Sequence, residues 1–146
     1  MNEIKKTMEH FDEYLSLDDA AKLHGHKGPF LVLGYKVGFH IVETTKPKDE
    51  FSLSVKAYIP FKRPYSCILD GLQCSTKCTL GKGNIECIDS DLMRIIFECK
   101  DSNKTIQISF KKEVINEALT CENPKQLVEK WESVPAKEFI ETIEII

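Results

Sequence analysis

The stretch "PFLVLGYKVGFHIVETT", residues 29–45, decides the fold, because apolar residues occur on nearly every side of the helix it predicts. Pro29 suits the first turn of a helix, where its missing N–H costs nothing. A helix without a polar face belongs in the interior, covered by other elements. Gly34 and Gly38, four residues apart, allow another element to approach the backbone closely. The stretch therefore predicts a buried central helix.

Two helices are expected before it. Ile4, Met8, Phe11 and Leu15 recur at spacings of three and four, which predicts an amphipathic N-terminal helix. Ser16 then precedes two aspartates and is a suitable N-cap for a second, shorter helix that runs to the "HGH" segment.

Strands are predicted in the middle of the chain. "FSLSVKAYI", residues 51–59, alternates apolar and polar positions, which is typical of a half-buried strand. Three further strands are expected at "IECID", "LMRIIFECK" and "TIQISFK", and "SCILDGLQCSTKC" is expected to form a helix between the first strand and these three.

The tail predicts helices at "KEVINEAL", "NPKQLVEKWES" and "PAKEFIETIEII", with Asn123 as an N-cap and Pro124 in the first turn. Helices lead, strands sit centrally and helices close the chain. This order predicts an α+β fold with a largely antiparallel sheet. We expect one domain over residues 1–146, with signature segments in 20–90 and a helical C-terminal extension over 111–146.

Composition excludes several classes of protein. The chain has 146 residues and a net charge of −3, whereas a protein that binds nucleic acid needs clustered Lys and Arg on one face. The most apolar run is too short to cross a membrane. The N-terminus lacks the apolar centre of a signal peptide, so a cytoplasmic location is expected.

Two groups of residues could carry chemistry. His24 and His26 sit at a corner before the central helix, and Cys67, Cys74 and Cys78 would share one face of the predicted helix. Imidazole and thiolate together suit zinc and other transition metals. Cysteine is also among the most buried residue types, so the same stripe could be core packing. Spacing leaves these alternatives open.

The segment "TLGKGN", residues 79–84, invites a phosphate-binding interpretation, which its sequence does not support. It ends in Asn84, where a P-loop has Ser or Thr, and it precedes a strand and not a helix. We expect its glycines to serve a tight turn.

Taken together, "HGHKGPFLVLGYKVG" and "SCILDGLQCSTKCTLGKGNIE" resemble the paired signatures of the formylmethanofuran dehydrogenase E-subunit family. That family has His-Gly-His-x-Cys-Pro-Gly in the first segment. In the second it has Asp-x-x-Gln followed by Thr-Gly-Cys-Thr-x-Gly-Lys-Gly-Asn. The resemblance spans residues 5–120 and implies a prokaryotic, homodimeric α+β protein, accessory to a redox or one-carbon enzyme complex.

The resemblance also implies a pocket. Carried over residue by residue, His24, His26, Cys67 and Cys78 would form its metal site, for zinc or nickel. Five further residues would line it for a ligand: Asp70, Gln73, Thr79, Lys82 and Asn84. If the protein were an enzyme, a metal-bound water or the Cys78 thiolate would be the reactive group.

This chain departs from the family pattern at two positions. Gly28 stands where the family has cysteine, and Lys77 stands where it has the glycine before Cys78. The C-x-x-C pairs of the zinc finger that some members append are also missing, so we expect the core domain alone. The alternative hypothesis is a non-catalytic binding or assembly module with a degenerate metal site.

Overall fold

The computed structural model describes residues 14–146. Five helices and five strands fill this part of the chain. The helices are α1 (Leu17–His24), α2 (Pro29–Thr45), α3 (Cys67–Thr76), α4 (Lys112–Thr120) and α5 (Pro124–Glu132). The strands are β1 (Leu53–Ile59), β2 (Ile85–Asp89), β3 (Arg94–Cys99), β4 (Lys104–Phe110) and β5 (Ile140–Ile145), with 3-10 turns at Leu80–Lys82 and Ala136–Phe139. The predicted α+β class is confirmed.

The five strands form one sheet in the order β2-β1-β3-β4-β5. Strands β1, β3, β4 and β5 pair antiparallel, and β1 and β2 pair parallel. Parallel neighbours need a crossover connection, and here the crossover contains α3. The topology therefore places α3 and the loop after it beside the sheet edge formed by β2.

Helix α2 is the centre of the molecule, as its sequence predicts. Leu31, Val32 and Leu33 have no exposed surface, and the helix packs extensively on α3. The two helices approach so closely that a Cβ on Gly34 would lie 2.9 Å from the carbonyl carbon of Ile68. Glycine on α2 thus determines how near α3 comes.

Two helices begin at the polar N-cap residues that the sequence predicts. The Ser16 hydroxyl accepts from the Asp19 N–H at 3.1 Å, and the Asp19 carboxylate accepts from the Ser16 N–H at 3.0 Å. This reciprocal pair is a capping box. Asn123 caps α5 by accepting from the Gln126 N–H at 3.1 Å. Most of the helix predicted from Ile4, Met8, Phe11 and Leu15 lies outside the described residues, and Leu15 itself lies in the non-helical segment before α1.

The prediction of a helix over the last segment is wrong. Residues 140–145 form β5, which pairs with β4 through Ile108 opposite Ile143 and Ile106 opposite Ile145. The sequence "IETIEI" is rich in β-branched residues, which favour extended backbone. Pairing with the edge of β4 decides the outcome, so the C-terminal extension is helical only through α5.

Among the helices that the structure describes, none combines the length and the apolar character needed to cross a membrane.

Candidate functional site

The "HGH" corner joins α1 to α2. Helix α1 ends at His24, and Gly25 follows with φ +109°, a left-handed conformation that favours glycine. Gly28 and Pro29 then begin α2. This tight path brings the rings of His24 and His26 to 4.8 Å between centroids.

His24 is tied to α3 by a short hydrogen bond. Its Nδ1 lies 2.6 Å from Oδ2 of Asp70, which is in the first turn of α3. The other oxygen of Asp70 accepts from Nε2 of Gln73 at 3.2 Å. The carboxylate is an acceptor when ionised, so Nδ1 carries the proton in this pair. The pair fixes both the orientation and the tautomer of the imidazole.

The second nitrogen of His24 has no hydrogen-bond partner among residues 14–146. Nε2 is buried, and no hydrogen-bonding group among the described residues reaches it. The His24 side chain as a whole is only 12% exposed. Leaving a buried polar atom unsatisfied costs about 1–3 kcal/mol. A buried polar atom of this kind needs an explanation, and a bound ligand or ion that completes the bonding is one.

A cavity of about 420 Å³ lies beside this pair, between α3, the loop after it and the start of β2. Its walls are mostly apolar, with charged groups at a few points. It is lined by His24, Phe61, Arg63, Ser66, Cys67, Leu69, Asp70, Gln73, Leu80, Ile85, Glu86 and Cys87. The predicted site residues His24, Cys67, Asp70 and Gln73 are thus brought together.

The loop after α3 is held by side chains. The Thr79 N–H donates to Oδ1 of Asn84 at 2.8 Å, and Nδ2 of Asn84 donates to the Glu50 carbonyl at 3.1 Å. Nζ of Lys82 donates to the Thr79 hydroxyl at 3.0 Å. Thr79, Lys82 and Asn84 therefore shape the loop but do not line this cavity. The predicted positive φ is present at Gly83, at +70°.

Cys78 lies apart from the histidines. Helix α3 ends at Thr76, and Lys77 takes φ 64°, so Cys78 leaves the helical face that the sequence suggests for three cysteines. Its side chain has no exposed surface, and its thiol donates to the Leu53 carbonyl at 3.3 Å. Burial raises the pKa of the Cys78 thiol. These are the properties of an inert core cysteine.

The described residues do not present the ligand set that the resemblance implies for a metal. In residues 14–146, no group of three or more His, Cys, Asp or Glu side chains is arranged to hold a metal ion. A Cβ on Gly28 would lie 3.2 Å from Nε2 of His26, so the imidazole packs where a cysteine side chain would begin. The described residues therefore do not form a three- or four-ligand protein site, and the zinc or nickel site stays a prediction.

Several cavity residues were not indicated by the sequence. Phe61, Leu80, Ile85 and Glu86 come from a loop, a turn and a strand that only the fold brings next to α3. Leu80 carried a partial signal, since it lies inside the family-like "TLGKGN" segment.

A sequence profile described as "FmdE, Molybdenum formylmethanofuran dehydrogenase operon" matches residues 23–144. The chain belongs to the FmdE family. The match begins just before the "HGH" corner of this FmdE chain and ends within β5, so it contains the whole candidate site.

Two relatives extend the comparison. A protein of Archaeoglobus fulgidus named "Probable S-adenosyl-L-methionine-binding protein" is 23% identical to this FmdE chain over 152 aligned residues. The alignment covers 86% of this chain but only 42% of the archaeal protein. A crystal structure of a tungsten formylmethanofuran dehydrogenase FmdE-like protein from Syntrophus aciditrophicus superposes with a TM-score of 0.60 at 15% identity. It covers 86% of this chain and 67% of that one, and shows that the fold is shared.

Proposed function

We propose that this FmdE-family chain binds a small ligand in the cavity beside His24 and Asp70, as an accessory protein of redox or one-carbon metabolism. The observation that carries the proposal is His24, which lines the cavity, lies 2.6 Å from Asp70 through Nδ1 and has no partner for its buried Nε2 among the described residues. The expected homodimer and enzyme complex stay predictions.

The hydrogen bond to Asp70 determines what the ligand offers. Because Nδ1 carries the proton, Nε2 of the neutral ring presents a lone pair. A ligand group with an N–H or O–H can donate to it. Nε2 is buried in the free protein, and the His26 ring lies 4.8 Å from the His24 ring between centroids, so engagement of the nitrogen requires a neighbouring side chain to move.

The archaeal relative suggests the first probe. Its name refers to S-adenosyl-L-methionine, which has an aromatic base, N–H donors and a positive sulfonium. The cavity supplies apolar walls and the carboxylates of Asp70 and Glu86, which suit these features. This chain spans less than half of that relative, so the ligand identity is itself a hypothesis.

The experiment is an NMR titration of ¹⁵N-labelled protein with S-adenosyl-L-methionine and, separately, with benzylamine. We expect at least one of them to shift amide signals around the cavity, and His24→Ala to weaken that binding about tenfold, the effect of one lost hydrogen bond to a polar group. His40→Ala is the matched control, because His40 is half-buried on α2 and lines no cavity described above. Binding unchanged in His24→Ala, or no shift with either probe at millimolar concentration, would overturn the proposal.

Elemental analysis of protein purified without chelator tests the metal prediction on the same samples. Near-stoichiometric zinc or nickel that is lost in His26→Ala would support metal binding at the corner. Metal-free protein that rejects added zinc at neutral pH would contradict it and leave the organic ligand as the occupant.

A further inference from the structure

We infer that the ligand is an elongated organic cation, with an amine-type centre at Asp70 and an apolar group at each end. This inference deepens the proposed function and rests on it. It follows from a second cavity that is lined by two of the same α3 residues.

The two cavities share Asp70 and Gln73. The first, of about 420 Å³, is the one beside His24, and the second, of about 410 Å³, is lined by residues of α3, of α1 and of the segments next to them. The Asp70 side chain is 38% exposed, so its carboxylate is open to solvent at the junction. A molecule long enough to occupy both cavities would therefore contact Asp70.

Exposed apolar side chains flank the junction on both sides. Phe61 is 65% and Leu80 80% exposed on the first cavity, while Leu23 is 64% and Leu15 46% exposed on the second. A cluster of large apolar side chains left open to water marks a surface that binds something. Each end of the ligand is therefore apolar.

Gln73 holds the loop that carries Leu80. Oε1 of Gln73 accepts from the Leu80 N–H at 3.0 Å, while its Nε2 donates to Asp70. Leu80 consequently lines the first cavity, and its neighbour Thr79 lines the second. One side chain thus fixes both the polar junction and the apolar wall beside it.

The charges at the junction favour a cation. Of the described residues that line the second cavity, Asp70 is the one that carries a charge. The first cavity is lined by the carboxylates of Asp70 and Glu86 and by one guanidinium, that of Arg63. These groups are acceptors, apart from Arg63. An ammonium supplies several N–H donors and the complementary charge.

A two-ended ligand gains affinity when its second end binds. Once one end is bound, the other end is held at high effective concentration, which can strengthen binding by orders of magnitude if the geometry allows both contacts. Dibenzylamine has a secondary ammonium between two phenyl rings, and benzylamine has one ring and one ammonium. Their comparison isolates the second end.

The test is a titration of the labelled protein with both amines in the presence of EDTA, which removes any metal. We expect dibenzylamine to bind at least tenfold more tightly than benzylamine and to shift amides around both cavities. Leu23→Ser should reduce the affinity for dibenzylamine to near that for benzylamine. Leu119→Ser is the control, because Leu119 is 43% exposed and lines neither cavity.

An anion of the same shape tests the charge. 2-Benzyl-3-phenylpropanoate places a carboxylate between two phenyl rings, and we expect it to bind at least tenfold more weakly than dibenzylamine. Equal affinities for the two amines, with shifts around the first cavity alone, would overturn the two-ended ligand and leave the proposed function standing. Equal affinities for the anion and the cation would overturn the inferred charge. Absence of any shift with either amine or with S-adenosyl-L-methionine would overturn both proposals.

Discussion

The close contact between α2 and α3 predicts that Gly71→Ala destabilises the protein. A Cβ at this position would lie 2.5 Å from the Tyr35 nitrogen and 2.9 Å from the Gly34 carbonyl carbon. The first distance is about 0.9 Å short of the 3.4 Å at which ordinary contact begins. The obstructing atoms are backbone on a buried helix, so they cannot rotate away. Gly71→Ala must therefore push α3 outward.

The magnitude follows from two opposing effects. Overpacking of a close-packed interior lowers the free energy of unfolding by about 1–3 kcal/mol. A clash with backbone atoms has a cost at the upper end of this range, about 3 kcal/mol. Alanine in a helix recovers about 1 kcal/mol relative to glycine. The net loss in the free energy of unfolding is about 2 kcal/mol, which lowers the Tm of a chain of this size by about 6–8 °C.

Thermal and urea unfolding followed by circular dichroism measure this loss. Gly81→Ala is the matched control, because a Cβ there meets nothing within 4 Å, and its free energy should change by less than about 0.5 kcal/mol. Since Asp70 moves with α3, Gly71→Ala should also weaken benzylamine binding. Equal Tm values for the two alanine variants would refute the argument that this glycine determines the helix spacing.

Three further predictions concern single residues. Lys77→Gly should raise Tm. Lys77 has φ 64°, and relief of this left-handed conformation contributes about 1 kcal/mol, which exceeds the stability lost with the contact of its ammonium, 5.0 Å from the centroid of the Tyr14 ring. A lower Tm would show that the ring contact dominates. Cys78 should resist alkylation by iodoacetamide at pH 8 until urea unfolds the chain, because burial raises the pKa of its thiol. Mass spectrometry measures the labelling, and rapid labelling of the native protein would show that Cys78 is a reactive thiolate after all. The pKa of Asp19 is lowered from 3.8 by hydrogen bonds from the Ser16 backbone and hydroxyl, so its contribution to stability is full above pH 3.8 and is lost as the pH falls below that value. Urea titrations at decreasing pH should show a shallower acid dependence for Asp19→Asn, and an identical profile would contradict the capping-box origin.

The sequence predicts helix caps and strand burial correctly where the element depends only on its own residues. Ser16 and Asn123 cap their helices as expected, and the alternation in β1 matches its burial, with Leu53, Val55 and Ala57 inside. The outcome differs where a partner elsewhere in the chain decides. Residues 140–145 are amphipathic enough to suggest a helix, but they form a strand because they pair with the edge of β4.

The candidate site divides in the same way. The family resemblance carried by residues 24–38 and 66–86 implied a pocket, with His24, Cys67, Asp70 and Gln73 among its residues. The sequence could not separate Cys78 from them, because its position depends on where α3 ends. One left-handed residue, Lys77, turns the chain and sends the thiol into the core.

The sequence by itself determined the helix that occupies the centre, the family and the histidine corner, because each depends on residues close together in the chain. Only the tertiary structure decided which nitrogen of His24 is left without a partner among the described residues, and that two cavities meet at Asp70. These features arise where α1, α3 and the loop before β2 converge. Convergence of distant segments is determined by packing, through the spacing of α2 and α3 at their glycines, and packing is a property that no local pattern contains.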